Sequence, residues 1–144
     1  MKKDRFLITG ANGQIGSVLT TTLRSLYGED RVLPTDIRRA DNQEGPFEIV
    51  DVLDAQRIAE VIDQYEITQV YHLAAILSAR GEQQPLSTWE INMNSLFNIL
   101  EVAREKKLDK VFFPSSIAVF GPDTRKVLTP QHAVLTPTTV YGIS

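Results

Sequence analysis

The sequence has 144 residues, of which 18 are acidic and 15 are basic, so its formal net charge is −3. A composition of 42% hydrophobic and 23% charged residues is typical of a globular protein with one core. It excludes a disordered or collagen-like chain, and the charge balance argues against nucleic acid as a partner. The absence of cysteine excludes disulfides, thiolate nucleophiles and thiolate-bound metals.

The N-terminal segment gives an expectation about the compartment. Residues 1–5 lead directly into the apolar run 6–8, which is too short for the apolar region of a signal peptide or for a membrane span. We therefore expect a cytoplasmic protein without a membrane partner.

Short apolar runs and amphipathic segments alternate along the chain. The apolar runs predict buried strands at residues 5–9, 32–35, 47–50, 69–73 and 111–113. The periodicity between them predicts helices at Gln14–Tyr27, 55–65 and 87–107, and a further helix that begins within 138–144. Strands that alternate with helices form a parallel sheet through right-handed crossovers. The sequence therefore predicts one α/β domain over residues 1–144, with a doubly wound sheet of strand order 3-2-1-4-5.

Caps and apolar faces define the predicted helices further. Gly28 is the expected end of the first helix, Asp54 the expected N-cap of the second, and Ser87 with Glu90 a capping box for the third. The apolar residues expected on one face of each helix, from the first to the third, are Ile15, Val18, Leu19, Leu23, Leu26, Ile58, Val61, Ile62, Leu96, Ile99, Leu100 and Ala103.

A glycine-rich segment joins the first predicted strand to the first helix. It reads Gly10, Ala11, Asn12, Gly13, Gln14, Ile15 and Gly16. Free backbone N–H groups at a helix N-terminus bind pyrophosphate, and glycines leave room for the turn, the phosphate and the helix–strand contact. Because the segment follows a strand and opens a helix at the start of a βαβ unit, it predicts a dinucleotide site. A glycine turn that serves packing alone is the alternative.

Asp36 indicates which dinucleotide is expected. It ends the second predicted strand, 26 residues after Gly10. A carboxylate there accepts a hydrogen bond from a ribose hydroxyl and repels a 2′-phosphate, which favours NAD over NADP. Arg38 and Arg39 follow closely and leave a phosphate contact open.

Several motifs together resemble the extended short-chain dehydrogenase/reductase family. The glycines are spaced G-x-x-G-x-x-G, Ser116 lies in the run P-S-S-I-A-V-F-G, and Tyr141 follows Ser116 by 25 residues. Within that family, Y-H-L-A-A-I-L-S-A at 71–79, N-M-N-S at 92–95 and T-T-V-Y-G at 138–142 are most similar to the short-chain type of L-threonine 3-dehydrogenase. The resemblance covers essentially the whole chain and implies a Rossmann-like fold, NAD as the cofactor and a homodimer.

This resemblance also implies an activity and a set of site residues. The activity is the NAD-dependent oxidation of L-threonine to 2-amino-3-ketobutyrate, a step of threonine degradation. Tyr141 is the implied acid/base residue, Ser116 the implied hydrogen-bond partner of the reacting oxygen, and Ser78 a contact to the amino-acid end of the substrate. The implied cofactor residues, with Asp51 at the adenine and 73–75 at the nicotinamide, are Gly10, Asn12, Gly13, Gln14, Ile15, Gly16, Asp36, Asp51, Leu73, Ala74, Ala75, Asn92 and Tyr141.

The family's catalytic motif is Y-x-x-x-K, and the sequence supplies Tyr141 to Ser144 of it. We therefore expect the N-terminal part of a larger protein, without the last strands and the C-terminal substrate region. A free tyrosine has a pKa of about 10, so only about one in a thousand is ionised at pH 7 without the lysine charge. We expect the 144-residue chain itself to be a poor catalyst.

Two other functions remain open from the sequence. One is a sugar-nucleotide epimerase or dehydratase of the same family, and the other is an NAD-binding module without catalysis. A metal site is not expected. His72 lies in an apolar strand and His132 in a proline-rich loop, neither with a second ligand at metal-binding spacing.

Overall fold

Five parallel strands form one sheet in the order β3-β2-β1-β4-β5, which confirms the predicted order. The computed structural model describes residues 4–41 and 44–144. Residues 1–3, part of the N-terminal segment discussed above, and 42–43 lie outside the described residues. The strands are β1 (Phe6–Thr9), β2 (Val32–Asp36), β3 (Glu48–Ile49), β4 (Gln69–His72) and β5 (Lys110–Phe112).

Helices lie between β1 and β2, between β3 and β4 and between β4 and β5 along the chain. No helix among the described residues is long and apolar enough to cross a membrane. A short helix after β4 was not predicted from the sequence, and a π-helical turn, Glu90–Asn94, joins two segments of the long helix that was predicted. The helices are α1 (Gln14–Tyr27), α2 (Ala55–Gln64), α3 (Ser78–Gly81), α4 (Pro85–Trp89), α5 (Ser95–Lys106) and α6 (Val140–Ile143), with 3-10 turns at Glu29–Arg31 and Ile117–Val119.

The apolar core lies on both faces of the sheet because side chains of a strand alternate between its faces. On β1, Phe6 and Ile8 pack with α1, whereas Leu7 belongs to the larger cluster beneath α2 and α5. The buried members of that cluster are Leu7, Leu33, Val50, Ile58, Val61, Ile62, Ile67, Val70, Ile99 and Val102. The predicted inward face of α2 is therefore confirmed.

The predicted face of α1 is wrong in part. Leu23 is buried and Leu19 packs against the core, but Ile15, Val18 and Leu26 are 64%, 65% and 70% exposed. Gly16 and Thr20 face the sheet in their place. A Cβ on Gly16 would overlap the carbonyl oxygen of Gly10 and lie 2.7 Å from the Cα of Ala11. The first turn of the helix therefore lies so close to the two residues that follow β1 that no side chain fits at position 16.

The predicted caps have mixed outcomes. Gly28 ends α1 with φ 97°, and the Asp54 carboxylate accepts a hydrogen bond from the Arg57 N–H, so both predictions are confirmed. The capping box is wrong because the helix begins two residues before Ser87, at Pro85. The Ser87 hydroxyl lies inside the first turn and donates to the carbonyl of Gln84 at 3.2 Å.

The predicted face of the third helix is confirmed except at one position. Ile99 is buried as predicted and Leu96 and Ala103 are half-buried, but Leu100 is 46% exposed. Ser95 and Val102 complete the buried side of α5.

We expect Gly16→Ala to lower the free energy of unfolding by about 1–3 kcal/mol, the usual cost of an overpacked site, because the atoms that would meet the new methyl group belong to the backbone. Urea denaturation followed by circular dichroism measures this. Ser25→Ala, at an exposed position of the same helix, is the matched control and should change stability by less than about 0.5 kcal/mol. Equal effects of the two variants would contradict the close approach of α1 to β1.

Candidate functional site

A cleft of about 410 Å³ opens at the carboxyl ends of β1, β4 and β5. The chain leaves β1 toward β2 on one side and β4 toward β5 on the other, so the cleft lies where the strand order reverses. Parallel α/β sheets bind their ligands at such a point. Of the residues predicted for the site, those that line the cleft are Gly10, Gly13, Gln14, Ile15, Gly16, Leu73, Ala74, Ala75, Asn92, Ser116 and Tyr141.

One wall of the cleft is the glycine loop with the start of α1. The Gly13 N–H donates to the carbonyl of Gly10 at 3.1 Å, which closes the turn. Gly13 is the N-cap of α1, and no side chain caps this helix. The first N–H groups of a helix have no partner within it, and here they belong to the cleft-lining residues Gln14, Ile15 and Gly16. This wall can therefore bind an anion through the backbone.

The segment that follows β4 lies directly against this loop. Gly10 has φ 67°, and a Cβ on it would lie 2.7 Å from the backbone nitrogen of Ala74. At the far end of the segment, the Asn92 side chain accepts from the Ile76 N–H at 2.8 Å and donates to the Ile76 carbonyl at 3.1 Å. Residues 73–76 are therefore held at both ends, and Asn92 acts here on the backbone of the cleft wall.

Asp36 lies beside the glycine loop, outside the residues that line the cleft. Its carboxylate accepts hydrogen bonds from the N–H groups of Asn12, at 3.0 Å, and Ile37, at 2.8 Å. The Asn12 side chain donates to the carbonyl of Arg38 at 2.7 Å. The Arg39 guanidinium lies over the Phe47 ring, 5.7 Å from its centroid, and donates to the carbonyl of Gly45. Asp36 is thus placed next to the anion-binding loop by that loop's own backbone.

The opposite wall carries two hydroxyl groups. Ser116 caps the 3-10 turn after β5, where its oxygen accepts from the Ala118 N–H at 3.3 Å. Tyr141 lies on α6, whose N-cap Thr139 accepts from the Gly142 N–H at 3.0 Å. A Cβ on Gly142 would overlap the carbonyl oxygen of Ala118. The close contact between this turn and α6 brings Ser116 and Tyr141 to the same cleft.

Besides Asp36, the predicted site residues outside the cleft lining are Asn12, whose N–H binds Asp36, and Asp51 and Ser78. Asp51 is exposed, and its carboxylate accepts from the Leu53 N–H at 2.9 Å. Ser78 is exposed at the start of α3. Within residues 4–41 and 44–144, no group of three or more His, Asp or Glu side chains is placed to hold a metal ion.

Sequence reasoning missed the part played by His72, which ends β4 and contributes to the cleft. Its ring is 1% exposed, with Nδ1 2.8 Å from the hydroxyl of Thr9 and Nε2 3.0 Å from that of Ser95. The ring also stacks on Phe113, with centroids 5.8 Å apart. Burial lowers the pKa of His72 to about 4. The sequence does show that β1 and β4 each end in a polar residue, Thr9 and His72. The structure shows that these two residues are partners in the sheet register.

Comparison with known proteins gives a consistent result. Residues 6–144 match the NAD dependent epimerase/dehydratase family. An uncharacterized epimerase/dehydratase of Staphylococcus saprophyticus is 49% identical over 100% of this chain and 45% of its own length. The chain thus spans about half the length of this curated relative.

Solved structures give the same coverage. The L-threonine dehydrogenase of Clostridium difficile is 44% identical with a TM-score of 0.94, covering 99% of this chain and 46% of that one. The L-threonine dehydrogenase of Cupriavidus necator is 48% identical with a TM-score of 0.93, and the match covers 96% of this chain and 46% of that one. A UDP-glucose 4-epimerase of Thermotoga maritima is 24% identical with a TM-score of 0.87, and the match covers 96% of this chain and 47% of that one. It shares the fold.

The depressed pKa of His72 makes stability depend on pH. The unfolded chain binds a proton near pH 6.5 and the folded chain only near pH 4, so stability is complete above pH 6.5 and falls as the pH drops toward 4. The side chains that touch the ring, those of Thr9, Ser95 and Phe113, carry no charge that would oppose this. Between pH 7 and pH 4.5 we expect His72 to account for a loss of about 2 kcal/mol.

Urea denaturation at both pH values, in the wild type and in His72→Asn, isolates this contribution from that of the carboxylates. The drop in unfolding free energy should be smaller in the variant by that amount. An identical drop in both proteins would show that His72 is not held neutral by burial.

Proposed function

This chain belongs to the NAD-dependent epimerase/dehydratase family, and we propose on that premise that its cleft serves the NAD-dependent oxidation of L-threonine to 2-amino-3-ketobutyrate. The observation that carries the proposal is that Ser116 and Tyr141 line the same cleft as the glycine loop. Because the chain spans about half the length of its relatives, the complete activity is proposed for a protein of the relatives' full length.

The residues present fit an NAD molecule. The uncapped N-terminus of α1 offers backbone N–H groups and a positive helix end to a pyrophosphate. The carboxylate of Asp36, fixed by the N–H groups of Asn12 and Ile37, keeps lone pairs free for the ribose hydroxyls of an adenosine. Residues 73–75 form the wall nearest to this loop, where the nicotinamide half would lie.

The chemistry assigned to the two hydroxyl groups follows from what the oxidation of a secondary alcohol requires. A base must take the hydroxyl proton, and we assign this to the phenolic oxygen of Tyr141. A hydrogen-bond donor must hold the same substrate oxygen, and we assign this role to the hydroxyl group of Ser116. When bound, NAD supplies the acceptor for the hydride that leaves the alcohol carbon. In the family's Y-x-x-x-K motif, a lysine adds a positive charge near the phenolic oxygen.

L-threonine is favoured over a sugar nucleotide by two observations. The solved L-threonine dehydrogenases are 44% and 48% identical to this chain, whereas the UDP-glucose 4-epimerase is 24% identical. The motifs at 71–79 and 138–142 also resemble those of the threonine enzymes. We also propose that Ser78 contacts the substrate and that Asp51 contacts the adenine, although neither residue lines the cleft.

We expect the 144-residue chain to bind NAD⁺ more tightly than NADP⁺ by about tenfold or more, because the Asp36 carboxylate would repel a 2′-phosphate. Isothermal titration calorimetry with each dinucleotide measures the preference. Asp36→Asn should weaken NAD⁺ binding about tenfold and reduce the preference.

Asp30→Asn is the matched control, since it removes an exposed carboxylate in the turn that precedes β2, away from the cleft. It should leave both affinities unchanged. Absence of NAD⁺ binding by the wild-type chain would refute the cofactor site, and equal affinity for NADP⁺ would refute the role of Asp36.

Turnover is tested by joining residues 1–144 to the C-terminal half of the Clostridium difficile enzyme, which supplies the lysine and the substrate region. We expect NADH absorbance to rise with L-threonine and not with UDP-galactose. Ser116→Ala should lower kcat by about 100-fold and Tyr141→Phe by about 1,000-fold or more, because each group acts on the reacting oxygen.

Tyr27→Phe, a change of the same chemical kind in α1, should leave kcat unaltered. Turnover of the sugar nucleotide in place of threonine would favour the epimerase function. Binding of NAD⁺ without turnover of either substrate would favour a non-catalytic module.

A further inference from the structure

A continuous chain of hydrogen bonds crosses the floor of the cleft through the ring of His72. Nδ1 contacts the Thr9 hydroxyl at 2.8 Å, and Nε2 contacts the Ser95 hydroxyl at 3.0 Å. These partners lie at the end of β1 and at the start of α5, while His72 itself ends β4. All these side chains are buried, with exposures of 1% or less. One ring therefore joins a pair of strands to the helix that covers them.

The neighbours of Thr9 settle where each hydrogen lies. Its hydroxyl oxygen is 3.2 Å from the nitrogen of Leu73 and 3.4 Å from that of Ala74, and both of these N–H groups can only donate. The Leu73 N–H is shared with the main-chain carbonyl of Thr9, also at 3.2 Å, so Ala74 is the amide that depends on the hydroxyl. The oxygen thus accepts, and its own hydrogen is free for Nδ1 of His72. Since Nδ1 accepts, the ring proton of the neutral imidazole lies on Nε2 and is donated to Ser95. The Ser95 hydroxyl in turn donates to the carbonyl of Asn92 at 3.4 Å.

The amides that Thr9 holds belong to the cleft wall. Leu73 and Ala74 are the first residues after β4, and Ala74 is the residue that lies against Gly10. The other end of this wall, at Ile76, is held by the side chain of Asn92. Both ends are therefore connected to the same stretch of helix, one through Asn92 itself and the other through Ser95, His72 and Thr9.

We propose that His72 is a positioning residue, which acts as the Nε2–H tautomer to orient the Thr9 hydroxyl and thereby holds the amides of Leu73 and Ala74 in the cleft wall. Its effect on NAD rests on the proposed function above, since this wall is assigned to the nicotinamide half. The ring is 1% exposed, so it acts through Thr9. The opposing view is that His72 only fills space in the core and that any side chain of similar volume would serve.

Two amide variants separate these views. In His72→Asn an amide oxygen takes the place of Nδ1 and can still accept from Thr9, whereas in His72→Gln the amide lies near the former position of Nε2 and cannot. His72→Leu fills the space without polar atoms. Thr9→Ser and Thr9→Val form a second pair, in which only the serine keeps the hydroxyl. A positioning role predicts that asparagine and serine rescue, while a space-filling role predicts no such pattern.

The first measurement uses the unaltered 144-residue chain. Long-range ¹H–¹⁵N correlation spectra at pH 7 report which imidazole nitrogen carries the proton, and we expect Nε2–H. An Nδ1–H tautomer would overturn the proposal without any substitution. This measurement requires neither NAD nor a variant that folds.

Amide hydrogen exchange then measures the effect on the wall. Relative to the amides of Val61 and Ile62 in α2, that of Ala74 should exchange about 10- to 100-fold faster in His72→Gln, His72→Leu and Thr9→Val, whereas that of Leu73 keeps the Thr9 carbonyl as an acceptor and serves as a local reference. In His72→Asn and Thr9→Ser the ratio should stay within about threefold of the wild type. Equal ratios in the asparagine and glutamine variants would overturn the proposal.

Ligand binding is the last comparison. NAD⁺ and ADP-ribose share every group except the nicotinamide, so a shift of the wall should weaken NAD⁺ about tenfold in His72→Gln and leave ADP-ribose within about threefold. Equal weakening of both ligands would overturn the effect on the nicotinamide half. If the wild type binds neither ligand, the proposed function fails, while the tautomer and the exchange ratios still decide the role of His72 in the wall.

Discussion

The rest of the cleft depends on a contact of backbone with backbone around Gly10. On one side, a Cβ on this residue would lie 2.7 Å from the Ala74 nitrogen, and on the other, a Cβ on Gly16 would overlap the Gly10 carbonyl oxygen. Backbone atoms in a packed region cannot turn aside as the end of a flexible side chain can. Both α1 and the segment after β4 are therefore fixed against β1. The fold thus fixes the distance between the N-terminal end of α1, with its free amides, and the segment that follows β4.

The two walls of the cleft have unequal support. Behind the glycine wall lie the buried side chains of β1, β2 and α1, with Phe6, Ile8 and Val32 no more than 2% exposed. Among the described residues that follow Val102, no hydrophobic side chain is buried, and Ile117 is 86% exposed. The wall that carries Ser116 and Tyr141 is held instead by the glycine contact between Gly142 and Ala118 and by polar caps. Few buried apolar contacts mean low local stability, so this wall is the one that further packing would strengthen.

The sequence predicts the fold well because its main signals are local. Apolar runs and helical periodicity locate every strand and the order of the sheet, and the glycine spacing locates the anion-binding wall. What it cannot predict is how closely two elements approach. Ile15 and Val18 look like core residues until the contact at Gly16 turns α1 so that small side chains face the sheet. His72 is a second case that the sequence cannot predict. Its ring contacts the hydroxyl groups of Thr9 and Ser95, which lie 63 and 23 residues away in the chain.

The electrostatics of the cleft follow from the same arrangement. The described residues that line it include no Lys, Arg, Asp or Glu, and the one imidazole among them is kept neutral because burial lowers its pKa to about 4. The formal charge of the whole chain is −3, so a pyrophosphate gains nothing from the net charge. The attraction must come from oriented N–H groups at the start of α1, whose dipoles are fixed by the close packing at Gly10 and Gly16. A charged ring at position 72 would carry a proton on both nitrogens, so Nδ1 could no longer accept a hydrogen bond from the Thr9 hydroxyl. A neutral His72 and close glycine contacts therefore leave the backbone N–H groups at the start of α1 as the source of positive potential in the cleft for the anion that we propose it binds.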